Sequence, residues 1–356
     1  MKSLLLPCLL LAAAPAGAAF HIEPIKATHP NGSQYSFPRL TDPTPAAQNI
    51  NTWLQATSLQ KLPGHYRKVA FEDIWPQEDD GWQGITSLDY TVTSNEPGFL
   101  SLSIGSEYMA AYPSQNTQSY NFDARSGQPI LLRDLFSADG LQWLRQQASQ
   151  QRTQRIEDFL AGKTVGKDIH LRSDPEEAQA QQQIYQECLP YVRKDDLAHN
   201  EVQLGKDSLT LVGVHCAPHV SQALDDLWDH SNAWRYDSLG GQLSNYGRCL
   251  LIDQRTDCAR DGAPPSAGIW RGSLDGRFPI TLVLEREESD GSVSGSYFYD
   301  KYARYIELDG QRDAQGGLQL RESGPPPATF VLSPSGAGLS GTWQQDGKQA
   351  LPIDLR

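Results

Sequence analysis

The densest gathering of metal- and acid-capable side chains in this sequence is His215, His219, Asp225, Asp226, Asp229 and His230. Two histidines four apart can chelate a metal from one face of a helix, but Pro218 lies between these two and Val214 to Cys216 reads as a strand end. A turn at Pro218 and an acidic amphipathic helix capped by Ser221 explain the pattern better, with Asp225 and Asp226 in solvent. No metal site is expected there, and no motif in the chain calls for a cofactor. Gly162-Lys163-Thr164 resembles the end of a phosphate-binding loop, but Glu157 stands where its first glycine belongs and no strand precedes it, so it reads as a helix C-terminus. Gly291-Ser292-Val293-Ser294-Gly295 carries valine where a nucleophile elbow needs serine. The adjacent carboxylates Asp195-Asp196 and Glu287-Glu288 diverge too much for a glycosidase pair and read as solvated surface. Tyr297, Tyr299, Tyr302 and Tyr305, with Lys301 and Arg304, make the one basic and aromatic patch of an acidic chain. Aromatic faces beside cationic donors are what glycan and protein partners use, so Tyr297, Tyr299, Tyr302, Arg304 and Tyr305 are the candidate binding residues. None is cast as catalytic, and the residues favour recognition over catalysis.

The remaining chemistry is in the cysteines. Lys2, the apolar run from Leu4 to Ala14 and the small residues Ala16-Gly17-Ala18 have the layout of a secretory signal peptide, so residues 1–18 are expected to be removed. The run is too short for a membrane span, and no later window approaches one. Cys8 leaves with the signal, and Cys188, Cys216, Cys249 and Cys258 remain, an even number expected to form disulfides in the periplasm or outside the cell. Four cysteines allow three pairings. The short polar loop between Cys249 and Cys258 favours a local bridge there, which leaves Cys188 to Cys216. Zinc on these thiols is disfavoured, since no C-x-x-C pair occurs.

These residues must be positioned by about two domains, given 356 residues. The stretch from Ala19 to Leu40, rich in Pro, Asn and Gly, reads as an entry segment, followed by a short helix over Ala46 to Leu54. Ile85 to Tyr90, Phe99 to Tyr108 and Gln118 to Phe122 alternate like half-buried strands of one antiparallel sheet. Ser137 caps a long amphipathic helix that ends at Gly162, and Asp174-Pro175 starts a second helix that runs to Cys188. Val202 to Leu204 and Leu209 to Val214 read as a hairpin. The first domain is therefore α+β, over 19–260. A linker at 261–267 separates it from 268–356, where about eight short alternating runs with glycine turns predict a small antiparallel β-barrel or sandwich. Gly268-Ile269-Trp270 is echoed by Gly295-Ser296-Tyr297 and Gly341-Thr342-Trp343, each aromatic facing inward. Core packing of such a barrel accounts for most of its aromatic residues.

Thirty Lys plus Arg stand against 43 Asp plus Glu, a formal net charge of -13, which opposes binding to a phosphate backbone and excludes nucleic acid as a natural partner.

Leu100-Ser101-Leu102-Ser103-Ile104, Tyr120-Asn121-Phe122-Asp123, Gly127 and Ile130-Leu131-Leu132-Arg133-Asp134-Leu135-Phe136 resemble the pattern "n-F-D-x-x-x-G-x-x-i-x-L-x-D-L-F" before a long helix. That pattern belongs to the extracytoplasmic domain of the lysozyme-sensing anti-sigma factor RsiV and to the accessory domain of certain peptidoglycan deacetylases. Val202 to Val214, Ala217-Pro218-His219, Leu239 and Leu243 resemble the family's second half, so the likeness spans roughly 65–252. Met109-Ala110-Ala111-Tyr112-Pro113 departs from the family's Gly-Gly-Ala-His-like turn, so no ligand contact is carried over from it, and no deacetylase domain is present. The resemblance implies an exported recognition domain. The expected partner is a protein, a basic cell-wall hydrolase or an envelope-targeting toxin that this chain would inhibit or give immunity against, or else peptidoglycan. An envelope hydrolase with an unrecognised site is the alternative.

Overall fold

A computed structural model describes residues 19–76, 83–110, 113–165, 169–213, 215–227, 231–260, 267–287, 290–336 and 338–356. The expected signal peptide and all but Ala267 of the expected linker lie outside the described residues.

The chain opens with a hairpin of β1 (Ile22–Thr28) and β2 (Gln34–Leu40), turning at Gly32 with φ +95°. The expected entry segment is this hairpin. Pro24 and Pro38 face each other across the hairpin, so neither leaves a partner strand's carbonyl waiting for a missing N–H. Thr44 Oγ1 accepts from Ala47 N at 3.2 Å and Pro45 supplies a preset φ, which starts α1 (Pro45–Leu59). Strands β3 (Gly84–Asn95), β4 (Phe99–Met109) and β5 (Pro113–Asp123) follow as a meander, giving a five-stranded sheet in the order β1-β2-β3-β4-β5. Tyr35 sets β2 parallel to β3 opposite Leu88, and every other pairing in that sheet is antiparallel.

A single turn, α2 (Leu132–Leu135), leads to α3 (Ala138–Leu160), capped by Ser137 as the sequence predicts, and α4 (Pro175–Val192), capped by Asp174. Helix α4 runs four residues beyond Cys188, the expected end. Strands β6 (Glu201–Leu204), β7 (Ser208–Val212) and β8 (Asn232–Arg235) form a second, three-stranded antiparallel sheet, followed by α5 (Tyr236–Leu239) and α6 (Asn245–Leu251). Both predicted disulfides are present, Cys188–Cys216 and Cys249–Cys258, with Cα separations of 5.3 and 5.7 Å. No helix of the described residues is long and apolar enough to cross a membrane.

The second half is a closed antiparallel barrel of β9 (Gly268–Leu274), β10 (Phe278–Glu287), β11 (Ser292–Tyr299), β12 (Tyr305–Arg312), β13 (Leu318–Glu322), β14 (Ala328–Ser335), β15 (Gly338–Gln345) and β16 (Leu351–Leu355). Each strand pairs with the next, and β16 closes on β9 through Leu274↔Ile353 and Gly272↔Leu355. A Cβ at Gly272 would run into the Asp354 carbonyl oxygen, so this seam needs glycine. Trp270, Tyr297 and Trp343, the predicted inward aromatics, fill the interior with Leu282, Leu320 and Phe330.

The fold is thus an α+β region followed by an all-β barrel. The two meet through α1, which is buried on nearly every side because it lies between sheet and barrel. Ile50, Trp53 and Leu54 pack against Phe37, Leu100 and Phe122 of the sheet, and against Ile269, Val283 and Phe298 on the barrel's outer wall. Polar contacts fix the docking: Arg271 bonds Asn49 and Thr52 of α1 at 2.6 and 3.1 Å, and the Gln128 amide bonds both Ile269 O and Ile269 N.

Candidate functional site

The alternation of β4 creates the site. Leu100, Leu102 and Ile104 face α1, while Ser101 and Ser103 turn small side chains to the other face, which lets β6 approach. Ser101 Oγ accepts from Leu204 N at 3.2 Å, and Asn121 Nδ2 on β5 donates to Val202 O at 2.8 Å. Between this docked β6, the exposed part of β5, α1, α2 and strand β10 of the barrel lies a cleft of about 610 Å³. That volume is in the range of ligand-binding pockets.

One wall is aromatic. Trp53 of α1 makes edge contacts with Tyr120 and Phe122 of β5, with ring centres 5.2 and 5.5 Å apart, and its Nε1 donates to Leu284 O of β10 at 3.3 Å. The next residue, Glu285, is the extra residue of a β-bulge, since Leu284 pairs with Gly295 and Arg286 with Ser294. A bulge re-aims a side chain, and this one sets the Glu285 carboxyl in the cleft wall. Burial, reinforced by the negative charge of Glu307, pushes that carboxyl up to about 7. Opposite, Glu201 at the start of β6 accepts from Ser119 N. Burial raises the Tyr120 phenol above its ordinary value, and the negative charges of Glu201 and Glu285 add to the rise, so both carboxylates bear on the same phenol. At the mouth, Glu287 joins Arg133 of α2 at 3.1 Å to Arg312 of β12 at 3.0 Å. This ion-pair network corrects the solvated reading of Glu287.

Two further wall residues, Asn121 and Asn200, have side-chain oxygens that find no hydrogen-bond partner among the described residues. In both, the amide nitrogen is already committed: Asn121 to Val202 O, and Asn200 to Asp195 Oδ2 at 3.0 Å. Asp195 is likewise not solvated, because it pairs with the buried Arg152 at 2.9 Å.

The predicted binding patch does not form one surface. Tyr297 is 1% exposed and donates to Glu322 Oε1 at 2.6 Å inside the barrel, where Trp343 Nε1 also reaches Glu322 at 2.8 Å. Strand alternation explains this, since Tyr297 shares the inward face of β11 with Val293. Tyr299 is half-buried beside it, with ring centres 5.5 Å apart. Tyr305 packs on Phe298 at the junction with the α+β region, and its phenol is raised by burial and then by Glu285. Of the set, only Tyr302, 70% exposed under the Lys301 ammonium, and Arg304 remain on the open surface.

The acidic and histidine cluster is also rearranged. His219–Leu224 is a short 3₁₀ turn, broken at Ser221, and not an amphipathic helix. Asp225 is not solvated: it is 2% exposed and accepts from Tyr185 Oη at 2.7 Å, Cys216 N at 2.9 Å and Ala217 N at 3.2 Å. Asp226 pairs with Arg172 at 2.6 Å. Asp229 and His230 lie outside the described residues, as does the Ala111-Tyr112 part of the divergent turn. Among the described residues no group of three His, Cys, Asp or Glu side chains could hold a metal ion.

Sequence reasoning missed the cleft. Its residues come from α1, β5, β6 and β10, and the one local signal is the placement of Glu201 at the start of the predicted hairpin.

No protein-family model matches the chain. No curated protein matches it either. Among solved structures, a member of the DUF3298 family from Bacteroides fragilis is similar over 68% of this chain and 100% of its own, at 14% identity and a TM-score of 0.42.

Proposed function

We propose that this chain is an exported, periplasmic or secreted recognition protein that holds a basic protein partner, a lysozyme-type wall hydrolase or an envelope-directed toxin, and blocks or neutralises it. The observation that carries the reading is the interdomain cleft, where Glu201 and Glu285 bear on one phenol beside Trp53. A net charge of -13 adds long-range attraction for a basic partner and speeds encounter. The two disulfides fit an oxidising compartment, and the resemblance of residues 65–252 to the RsiV-like family supplies the partner class.

The test is capture by the oxidised protein starting at Ala19, with purified lysozyme and a wall amidase offered separately and their activities followed. Stoichiometric capture with loss of hydrolase activity is expected, and absence of capture of either enzyme at low ionic strength overturns the reading.

One observation favours a second reading, cleavage of an envelope glycan. A carboxyl held at about 7 in a cleft with a second carboxylate is the pairing that acid–base hydrolysis uses. Release of reducing ends from purified peptidoglycan, lost in Glu285→Gln, supports it, and intact peptidoglycan after prolonged incubation rejects it.

A further inference from the structure

We infer that the outer edge of β5, at Gln115 and Thr117, is the seat of an extended segment of the basic partner protein, which pairs with it as a further strand. The inference rests on the recognition reading above and names the manner of contact.

Along an antiparallel strand the main-chain groups of successive residues turn to opposite sides. In β5 the direction is set at its inner end. Asn121 O accepts from Ile130 N at 2.7 Å and Asp123 N donates to Gln128 O at 3.0 Å, so the odd-numbered residues turn away from β4. Ser119 follows the same rule, since its N–H donates to Glu201 Oε2. The pairing with β4 runs from Phe99↔Asp123 to Met109↔Pro113 without a shift in register, which carries the alternation unbroken to Thr117 and Gln115. Both residues are exposed, β5 is the last strand of its sheet, and among the described residues nothing bonds their outward N–H and C=O groups. The Gln115 side chain does not cover them, because its Nε2 reaches back to Glu107 of β4 at 3.3 Å.

Folded proteins guard such an edge with prolines, charges, bulges or short strands, and the other edges of this one are guarded. Strand β1, at the far side of the sheet, carries Pro24 and Lys26, β6 and β8 have four residues each, and the barrel is closed. From Ser114 to Phe122, β5 has no proline, no charge and no bulge. An edge of this kind offers main-chain bonds to an extended segment, whose added strand supplies the affinity. Charge selects the occupant. Two copies of this chain would each bring a net charge of -13, with Glu107 opposite Gln115 in both, and would repel. A basic partner meets attraction instead. The edge also leads to the cleft, because Gln118, Ser119 and Tyr120 line it, so a segment paired at Thr117 reaches the point where Glu201 already fills Ser119 N.

The test uses a capped basic peptide, acetyl-Lys-Thr-Val-Thr-Val-Thr-Lys-amide, and its counterpart with every Thr and Val amide N-methylated, which keeps the charge and loses the main-chain donors. Each is titrated into the full oxidised chain, with hydrogen exchange at the Gln115 and Thr117 amides as the readout. The first peptide should slow exchange at both amides by about tenfold or more at saturation, and the methylated one should leave it unchanged. Thr117→Pro removes an N–H that makes no bond within the chain, so it should melt close to the parent and abolish the protection of Gln115. Gln115→Pro, read at Thr117, repeats the test should the first variant fail to fold. Equal protection by the two peptides, or protection by neither, overturns the inference. Dimerisation of the parent that Thr117→Pro abolishes also overturns it, since a second copy would then occupy the edge.

Its failure is separable from that of the proposed function. Lysozyme capture that persists undiminished in Thr117→Pro leaves the recognition reading standing and removes this edge from it. Protection of Gln115 and Thr117 by the peptide without capture of either hydrolase does the reverse.

Discussion

The Tyr246 hydroxyl of α6 donates to Asp123 Oδ2 at 2.8 Å, joining the end of β5 to a helix 123 residues further along the chain. The other carboxylate oxygen accepts from Arg125 N at 3.0 Å and Ser126 N at 2.8 Å, and the Arg260 guanidinium covers the Tyr246 ring at 5.2 Å. The "n-F-D-x-x-x-G" signature is therefore an architectural knot. Asp123 shapes the turn, Gly127 takes φ +69° where a Cβ would strike the Ala46 carbonyl, and Phe122 reaches the α1 core.

Removing the hydroxyl from Tyr246 leaves a carboxylate oxygen unpaired at a residue that is 5% exposed. Tyr246→Phe should cost about 2 kcal/mol, in line with hydrogen bonds to buried charged groups. Urea unfolding checks it. A change below ~0.5 kcal/mol would show that water replaces the phenol and that the knot is not what holds β5 to α6.

Much of the fold is legible in the sequence because its signals are local. Ser137 and Asp174 cap the helices they were expected to cap, and the inward aromatics of the barrel follow period-two alternation. What is not legible depends on partners distant in sequence. Strands β1 and β2 lie in a proline-containing stretch with no strand signal of its own, and their pairing sets Pro24 opposite Pro38. Asp225 looks like a solvated helix residue until Tyr185 and the 216–217 backbone enclose it. Glu285 sits in the charged run Glu285-Arg286-Glu287, and only the bulge opposite Gly295 places it in the cleft. The tyrosine patch differs for the opposite reason: its residues are close in sequence, but the strand sends Tyr297 inward and the loop leaves Tyr302 outside.

That division makes a prediction about the barrel. Tyr297→Phe removes one of two donors to Glu322 and should destabilise the protein by about 1–2 kcal/mol, whereas Tyr302→Ala should change stability by less than ~0.5 kcal/mol. Thermal melts of the two variants give the comparison, and equal losses would contradict the assignment of the two side chains to opposite sides of the wall.

The disulfides should contribute unequally. Cys188–Cys216 closes a 28-residue separation and Cys249–Cys258 a 9-residue one, which corresponds to roughly 3.5 and 2.5 kcal/mol of loop entropy. The first bridge also adjoins the Asp225 carboxylate that receives Cys216 N and Ala217 N, so the double replacement Cys188→Ser, Cys216→Ser should loosen 215–227. The second bridge helps hold Cys258, whose carbonyl accepts from Arg125 at 2.8 Å beside the Asp123 turn. Denaturant midpoints of the two double variants, with limited proteolysis of the 215–227 loop, test the order. A larger loss from the shorter loop would mean that this turn, and not loop length, sets the balance.

The raised carboxyl of Glu285 ties stability to pH with a definite sign. Its surroundings are Glu307 and Tyr305 of β12, Tyr120 of β5 and the Trp53 ring of α1, with Glu201 across the phenol. In the unfolded chain it titrates near 4.5 and in the folded chain near 7, so between these values the folded state holds the extra proton. Stability from this group is then full below about 4.5 and is lost as pH rises through 7, about 3 kcal/mol in all. Glu285→Gln, which keeps the shape and cannot ionise, should be nearly as stable as the parent at pH 5 and more stable than it at pH 8. Parallel melting curves for parent and variant across this range would remove Glu285 as the titrating group.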